Sequence, residues 1–195
     1  TDHWGNDRVS DTCIRNGRKE PVEGYAPDVF FDEAIRFIRT RKKGPFFVYL
    51  ATYVPHSPWS LPDKRWVDPY RGKVPLGTAY FFASIARVDQ NLGRLRRCLA
   101  EEGLAENTIL VFLTDNGTSG GRQVFNAGMR AQKGSEYDGG HRVPCFIHWP
   151  AGGLDRPLDV SHLTAHVDLL PTLIDLCNLP QTENVSFDGA SLEPL

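Results

Sequence analysis

The chain has 195 residues, of which 41% are hydrophobic and 24% are charged, and its formal net charge is −2. This length and composition are typical of one globular domain with a real core, and they exclude a disordered chain. The near-neutral charge argues against a nucleic-acid-binding protein, and no run approaches the roughly 18 consecutive apolar residues of a membrane span.

The first part of the chain predicts an irregular segment, a helix and a strand. Residues 1–24 are polar and lack periodicity, so we expect a loop there. A helix is predicted from residue 26 to about residue 43, with Asp28 as its candidate N-cap and Gly44 as its stop. Residues 46–53, FFVYLATY, are apolar on both alternations, which predicts a strand buried on both faces.

The remainder of the chain alternates predicted helices with predicted strands. Residues 78–102 predict a long helix, because apolar residues recur at helical spacing along one face. These residues are Phe81, Ile85, Val88, Leu92, Leu95 and Leu99. Strands are predicted within residues 107–117 and at residues 145–149, and a last helix at residues 166–179. Helices that alternate with doubly buried strands indicate an α/β sandwich around a largely parallel sheet.

Polar side chains follow two of the predicted strands. Asp115 and Asn116 come directly after an apolar run, and His56 lies between two prolines just past residues 46–53. The carboxyl ends of neighbouring parallel strands meet at one rim of a sheet, where ligands collect. Carboxylate and amide oxygens are hard ligands, which suit Ca²⁺ or Mg²⁺ better than zinc. An ordinary turn at Asp115 and a structural role for His56 are the alternative interpretations.

Residues 128–144, GMRAQKGSEYDGGHRVP, combine basic side chains with four glycines. A lysine and exposed backbone amides in such a segment can hold an anion, and Lys133 is the candidate lysine. A surface loop with solvated charges is the alternative. The chain contains no H-E-x-x-H, G-x-S-x-G or G-x-x-x-x-G-K-[ST] motif, which argues against a zinc protease, a serine hydrolase and a P-loop enzyme.

Five segments resemble, in their residues and in their order along the chain, the motifs of a known enzyme family. They read PHSP, VDQNLGRLRRCLAEEGLAENTILVFLTDNG, QKGSEYDGGHRVPCFIHWPAG, HVDLLPTLIDL and DGASLEPL. In these segments the chain resembles the sulfatase family of the alkaline-phosphatase-like superfamily, and it looks like the arylsulfatase-type members. The resemblance implies that residues 25–195 form a partial catalytic domain. Its expected fold is an alkaline-phosphatase-like α/β three-layer sandwich around a mostly parallel sheet, incomplete in this chain.

The resemblance also implies roles for particular residues. Asp115 and Asn116 match the family's metal pair and would bind Ca²⁺, with the remaining ligands outside this chain. Lys133 matches the lysine that contacts the sulfate. His56 matches the histidine that contacts the sulfate and can protonate the departing alcohol. Three weaker candidates would lie beside or behind the substrate: Arg130, His141 and Arg142. Asp138 would help to shape its glycine-rich loop. Trp59 and Trp66 would either line a substrate pocket or serve packing.

One part of the family's machinery is missing from this sequence. Sulfatases use a formylglycine made from the cysteine or serine of a C/S-x-P-x-R motif, and none of the cysteines has that context. The cysteines are Cys13, Cys98, Cys145 and Cys177. The family's early strand with paired aspartates is also absent. We therefore expect the latter portion of a catalytic domain, inactive and marginally stable alone, with its nucleophile in a missing N-terminal half of the same protein.

The function implied by the resemblance is a sulfuric ester hydrolase. Its partner would be a small-molecule or glycan sulfate ester, and its location would be periplasmic or secreted. Two alternatives stay open. A metal-dependent phosphodiesterase, phosphonate hydrolase or phosphatase of the same superfamily would use Zn²⁺ or Mn²⁺ instead of Ca²⁺. A non-catalytic, anion-binding remnant would have a natural start codon just before Thr1.

Overall fold

The computed structural model describes residues 8–61, 63–181 and 185–194. The chain divides into two compact units, Thr1–Asp155 and Arg156–Leu195. Residues 1–7 of the expected N-terminal loop and the last residue of the expected catalytic domain lie outside the described residues. None of the helices within the described ranges has the length and apolar character that crossing a membrane requires.

The N-terminal segment contains a β-hairpin. β1 (Thr12–Arg15) pairs antiparallel with β2 (Arg18–Pro21), and Asn16 and Gly17 form the turn. The φ angles of these two residues are 49° and 80°, as a two-residue hairpin turn requires, and an asparagine-glycine pair adopts such angles at low cost. The prediction of an irregular segment is therefore wrong for residues 12–21, where Asn-Gly was the sequence signal for a hairpin.

Two long helices build the main core of the first unit. α1 (Ala26–Arg41) and α2 (Leu76–Glu101) both agree with the predicted helices to within about two residues at each end. Their facing sides bury a cluster formed by Phe31, Ile38, Leu95 and Leu99. The apolar stripe predicted on α2 is covered along most of its length, but Ile85 is 42% exposed. This core is the platform that carries the loops described below.

Asp28 joins the two helices and does not cap α1. The N-cap of α1 is Tyr25. The Asp28 carboxylate accepts hydrogen bonds from Arg87 Nε at 2.8 Å and Asn91 Nδ2 at 2.7 Å, both on α2. Asn91 is fully buried, and its side-chain oxygen accepts from Arg94 Nη1 at 2.8 Å. The prediction of Asp28 as N-cap is wrong, because the carboxylate neutralises a half-buried arginine across the helix interface.

Residues 46–53 run along the core but form no strand in the part of the chain that the structure describes. The even-numbered residues of 46–50 pack against the α1–α2 core. On the opposite side, Phe47 and Tyr49 are 74% and 84% exposed. A strand requires a hydrogen-bonded neighbour, which the described residues do not supply here. The predicted strand, buried on both faces, is therefore wrong for this chain.

The strands that flank the candidate metal pair and the glycine-rich segment pair with each other. β3 (Leu110–Leu113) and β4 (Cys145–His148) lie where strands are predicted. They run antiparallel, with Leu113 opposite Cys145. The described two-stranded sheets, β1–β2 and β3–β4, are both antiparallel, so the strands of this chain do not themselves form the parallel sheet that was expected. The α/β class is confirmed.

The remaining described elements are two short α-helices and three single-turn 3-10 helices, the latter at Lys64–Trp66, Pro150–Gly152 and His166–Asp168. α3 (Asp138–His141) lies in the first unit, inside the glycine-rich segment, and α4 (Leu169–Leu176) lies in the second. Asp168, at the N-cap position of α4, accepts backbone hydrogen bonds from Ala165 at 2.7 Å and Ala190 at 2.9 Å. These two amides lower the pKa of Asp168. The Asp168 carboxylate thus joins residues 165 and 190 within the second unit.

Replacing Asn91 with alanine should lower the free energy of unfolding by about 1–3 kcal/mol, because Asp28 and Arg94 each lose a hydrogen-bond partner in a half-buried site. Urea and thermal unfolding of the full-length protein measure this change. Asp89→Ala, at an exposed position of the same helix, is the control and should change stability by less than about 0.5 kcal/mol. Equal effects of the two substitutions would contradict the role given to Asn91.

Candidate functional site

The candidate metal pair lies just past the end of β3. Asp115 is exposed and Asn116 is half-buried, and Asn116 Nδ2 donates a hydrogen bond to Oδ2 of Asp115. This bond engages the amide nitrogen and one carboxylate oxygen, so each side chain keeps an oxygen that can face a cation. Both oxygens are hard donors, which fits a divalent ion of the Ca²⁺ or Mg²⁺ type.

The pair by itself is an incomplete metal site. Calcium takes six to eight oxygen ligands. Across residues 8–61, 63–181 and 185–194, no group of three or more His, Cys, Asp or Glu side chains is arranged to hold a metal ion. Asp115 and Asn116 can therefore hold one side of an ion, and further ligands would have to come from elsewhere.

A contact between glycines joins this turn to the glycine-rich segment. Gly117 N donates a hydrogen bond to the carbonyl oxygen of Gly140 at 2.9 Å. A Cβ atom on Gly117 would lie 1.9 Å from the carbonyl oxygen of Gly139. That distance is impossible for any residue with a side chain, so the two backbones can touch only because residue 117 is glycine. We call this contact the glycine crossing.

The other partners of the glycine crossing are equally tight. A Cβ atom on Gly139 would lie 2.5 Å from the carbonyl oxygen of Ala131, and one on Gly140 would lie 2.0 Å from that of Ser135. Gly139 N also donates to the carbonyl oxygen of Arg130 at 2.8 Å. Residues 130–140 therefore fold back on themselves through α3. This close approach is possible because residues 139 and 140 are glycines.

The loop of Lys133 is joined to the chain segment that follows Asn116 as a result. The backbone N of Lys133 donates to the carbonyl oxygen of Thr118 at 3.4 Å, and its side chain is exposed. The loop of Lys133 is thus attached to the Asp-Asn turn both at Thr118 and at the glycine crossing. If the turn holds a cation, that cation and the Lys133 side chain can together stabilise a bound anion.

The weaker candidates of the glycine-rich segment contact their own loop. The guanidinium of Arg130 lies 3.6 Å from the ring centroid of Tyr137. His141 Nε2 is 3.1 Å from the carbonyl oxygen of Glu136, and the backbone N of Arg142 donates to Asp138. These contacts give Arg130 and His141 a part in shaping the loop, whatever else they bind.

His56 is exposed on a separate loop, and its ring is oriented by the backbone. Its Nδ1 is 2.6 Å from the carbonyl oxygen of Ser57, and its own N–H donates to Tyr53 at 2.9 Å. A carbonyl oxygen only accepts hydrogen bonds, so Nδ1 must carry the proton. Nε2 is thereby the ring nitrogen that can exchange a proton with a ligand.

The loop of His56 and the loop after Asn116 rest on the same side chain of α2. Trp59 contacts the ring of Phe81 edge to face at 6.3 Å, and its Nε1 donates to Pro55 at 2.8 Å. A Cβ atom on Gly120 would lie 2.9 Å from Phe81. Phe81 therefore places both loops at the N-terminal part of α2, although no direct contact of His56 with Lys133 is described.

The two tryptophans serve packing in this structure. Trp59 fixes the His56 loop on Phe81, as described above. Trp66 packs against α2 next to Val67 and Ala79, and the guanidinium of Arg87 lies 4.9 Å from its ring centroid. The packing interpretation of both tryptophans is therefore the one that the described contacts support.

One residue near His56 was not found from the sequence. Arg8 Nη2 donates a hydrogen bond to the carbonyl oxygen of Ser57 at 3.0 Å. Its guanidinium also lies 3.8 Å from the ring centroid of Tyr53. Arg8 and Ser57 are 49 positions apart, and no motif surrounds Arg8, so only the fold reveals this contact.

A family model and two related proteins all identify the same family for this chain. The family model described as Sulfatase matches residues 1–179. The chain is 31% identical over 191 residues to the uncharacterized sulfatase YdeN of Escherichia coli (strain K12). That alignment covers 95% of this chain and 33% of YdeN. The chain is 33% identical over 158 residues to arylsulfatase A of Homo sapiens, and that alignment covers 80% of this chain and 29% of arylsulfatase A. The chain thus spans about a third of the length of these relatives.

A solved structure shows the same fold. The crystal structure of Ps i-CgsB in complex with k-i-k-neocarrahexaose superimposes with a TM-score of 0.84 at 30% identity. The match covers 92% of this chain and 40% of that one. The expected fold, incomplete in this chain, is confirmed by this similarity.

Replacing Gly117 with alanine should separate the metal pair from the Lys133 loop, because the new Cβ atom collides with backbone that cannot rotate away. We expect the activity of the full-length protein to fall about 100-fold, as a shift of about 1 Å in a site commonly causes. Gly44→Ala is the matched control, since a Cβ atom there meets nothing within 4 Å. Full activity in Gly117→Ala would show that the glycine crossing does not position the site.

Proposed function

The chain belongs to the sulfatase family, and on that premise we propose that it forms the metal-binding and sulfate-binding part of a sulfuric ester hydrolase. The observation that carries the proposal is the glycine crossing, which holds the Asp115–Asn116 turn against the loop of Lys133. Because the chain spans about a third of its relatives, the hydrolytic activity is assigned to the full-length protein.

Membership of the family implies a divalent metal, and the proposed ion is Ca²⁺. Asp115 and Asn116 would hold it through one carboxylate and one amide oxygen, which are the ligand types that calcium prefers. Zinc would favour imidazole or thiolate ligands. Once bound, the ion would supply positive charge close to the oxygens of the ester.

Lys133 and His56 would act directly on the substrate. A sulfate ester spreads negative charge over its oxygens, and the departing oxygen gains more as its bond to sulfur breaks. The Lys133 ammonium would stabilise the charge on the sulfate oxygens. In its imidazolium form, His56 would donate the Nε2 proton to the departing oxygen and become the neutral Nδ1–H tautomer, which the Ser57 carbonyl holds. The nucleophile, a formylglycine in the family, would come from outside these 195 residues.

The proposed substrate class is a sulfated glycan. Ps i-CgsB, which is 30% identical to this chain, was solved in complex with k-i-k-neocarrahexaose. The identity to arylsulfatase A is similar, so a small aryl sulfate is the second candidate. Both candidates use the same sulfate-binding side chains and differ in the group that departs as an alcohol.

Replacing Lys133 with methionine should lower kcat/KM for sulfate esters about 100- to 1,000-fold in the full-length protein, because the stabilising charge is removed while the length of the side chain is kept. Sulfate release from a sulfated oligosaccharide and from 4-nitrophenyl sulfate measures the loss. Lys73→Met, at another exposed lysine, is the control and should keep full activity. Faster hydrolysis of 4-nitrophenyl phosphate than of the sulfate by the wild type would favour a phosphate-directed enzyme.

Removing divalent ions with a chelator should abolish sulfate release, and Ca²⁺ should restore it. Asp115→Ala should raise the Ca²⁺ concentration needed for half-maximal activity, since one ligand is lost. Asp89→Ala, an exposed aspartate on α2, should leave that concentration unchanged. Recovery with Zn²⁺ or Mn²⁺ but not with Ca²⁺ would contradict the assignment of the ion.

A further inference from the structure

Two donors share the carbonyl oxygen of Ser57. His56 Nδ1 lies 2.6 Å from it, and Arg8 Nη2 donates to it at 3.0 Å. A carbonyl oxygen has two lone pairs, so it can accept both bonds at once. The bond from the guanidinium is charge-assisted and is the stronger type. The acceptor that orients His56 is therefore itself held in place by Arg8.

The guanidinium of Arg8 is itself held in place by an aromatic ring. It lies 3.8 Å from the ring centroid of Tyr53, a typical cation–π arrangement. Tyr53 belongs to the same chain segment as His56, and the backbone N of His56 donates to Tyr53 at 2.9 Å. Burial lowers the pKa of Arg8, but its ordinary value is so high that the guanidinium keeps its charge. One guanidinium thus contacts both flanks of the His56 loop.

Polar atoms of Arg8, Tyr53 and Asp11 are buried in the region of Tyr53, with which Arg8 and Asp11 interact electrostatically. Arg8 Nη1, the Tyr53 hydroxyl and Asp11 Oδ2 are all buried, and none has a hydrogen-bond partner among the described residues. Burial is the first cause of a raised pKa of Tyr53, so the phenol stays neutral. The described partners of the Arg8 guanidinium are the Tyr53 ring and the Ser57 carbonyl, whereas the Arg8 backbone carbonyl separately accepts from Ala26 N at 2.8 Å. Removing the guanidinium should therefore loosen the His56 loop at a defined point.

We propose that Arg8 is a positioning residue for His56, acting through the Ser57 carbonyl to keep Nε2 directed at the departing alcohol. This inference rests on the proposed function, in which His56 protonates that alcohol. Without Arg8, the Ser57 carbonyl can turn toward water, and the Nδ1–H of His56 loses a fixed acceptor. The chemistry lost would be proton donation, while the binding of sulfate by Lys133 would remain.

The test compares two leaving groups in the full-length protein. A sugar alcohol is a poor leaving group and needs the proton, whereas 4-nitrophenolate departs without one. Arg8→Met should lower kcat for a sulfated oligosaccharide about 100-fold with little change in KM, and kcat for 4-nitrophenyl sulfate less than about threefold. Arg8→Lys, which keeps a charged donor, should recover part of the loss. Arg18→Met, at an exposed arginine of the nearby hairpin, is the control and should change neither rate.

Substitutions of Tyr53 separate positioning from general stability. Tyr53→Leu removes the ring under Arg8 and should show the same dependence on the leaving group. Tyr53→Phe keeps the ring and loses only a hydroxyl that has no described partner, so it should behave as wild type. Equal losses on both substrates in Arg8→Met and Tyr53→Leu would overturn the proposal, because a purely structural defect does not discriminate between leaving groups.

A second measurement does not depend on activity. Nitrogen-15 spectra of histidine-labelled protein report which ring nitrogen is protonated. At a pH where the ring is neutral, the wild type should show His56 protonated at Nδ1, and Arg8→Met should show a mixture of both tautomers. An Nδ1–H population that is unchanged in Arg8→Met would overturn the proposal. If the wild type hydrolyses no sulfate ester, the proposed function fails, and the spectra still decide whether Arg8 orients His56.

Discussion

The contact between Gly117 and the backbone of Gly139 and Gly140 is the constraint on which the candidate site depends. It brings a turn that follows a strand into direct contact with a loop about twenty residues further along the chain. The distance that a Cβ atom on Gly117 would have to the carbonyl oxygen of Gly139, 1.9 Å, leaves no room for another residue. The candidate metal pair is joined to the loop of Lys133 by this close backbone packing and by the hydrogen bond from Lys133 N to Thr118.

The helical core carries this contact and the separate loop of His56. α2 is anchored to α1 by the hydrogen bonds of Asp28 with Arg87 and Asn91. Farther toward its N-terminus, α2 presents Phe81, on which Trp59 and Gly120 both pack. A change in the interface between the helices would thus move both loops together. The α1–α2 core therefore determines where the loops lie, and contacts within each loop determine how its side chains are oriented.

The sequence predicts the helices well and the strands only in part. α1 and α2 follow from apolar residues at helical spacing, which is a property of the local segment. Residues 46–53 have the composition of a strand, but a strand also needs a neighbour, and composition carries no information about that. Asp115, Asn116 and Lys133 are predicted from motifs that resemble those of a known family, and their roles stay predictions. Arg8 was missed, because its contact with the His56 loop joins residues distant in sequence.

The central claim is that these loops form one site for a sulfate ester and a calcium ion. The most direct measurement is a crystal structure of the full-length protein grown with Ca²⁺ and a sulfamate analogue of a sulfate ester. The account predicts an ion bound by the side-chain oxygens of Asp115 and Asn116, with Lys133 Nζ and His56 Nε2 within roughly 3 Å of the analogue. An analogue bound elsewhere, with these side chains facing solvent, would contradict it.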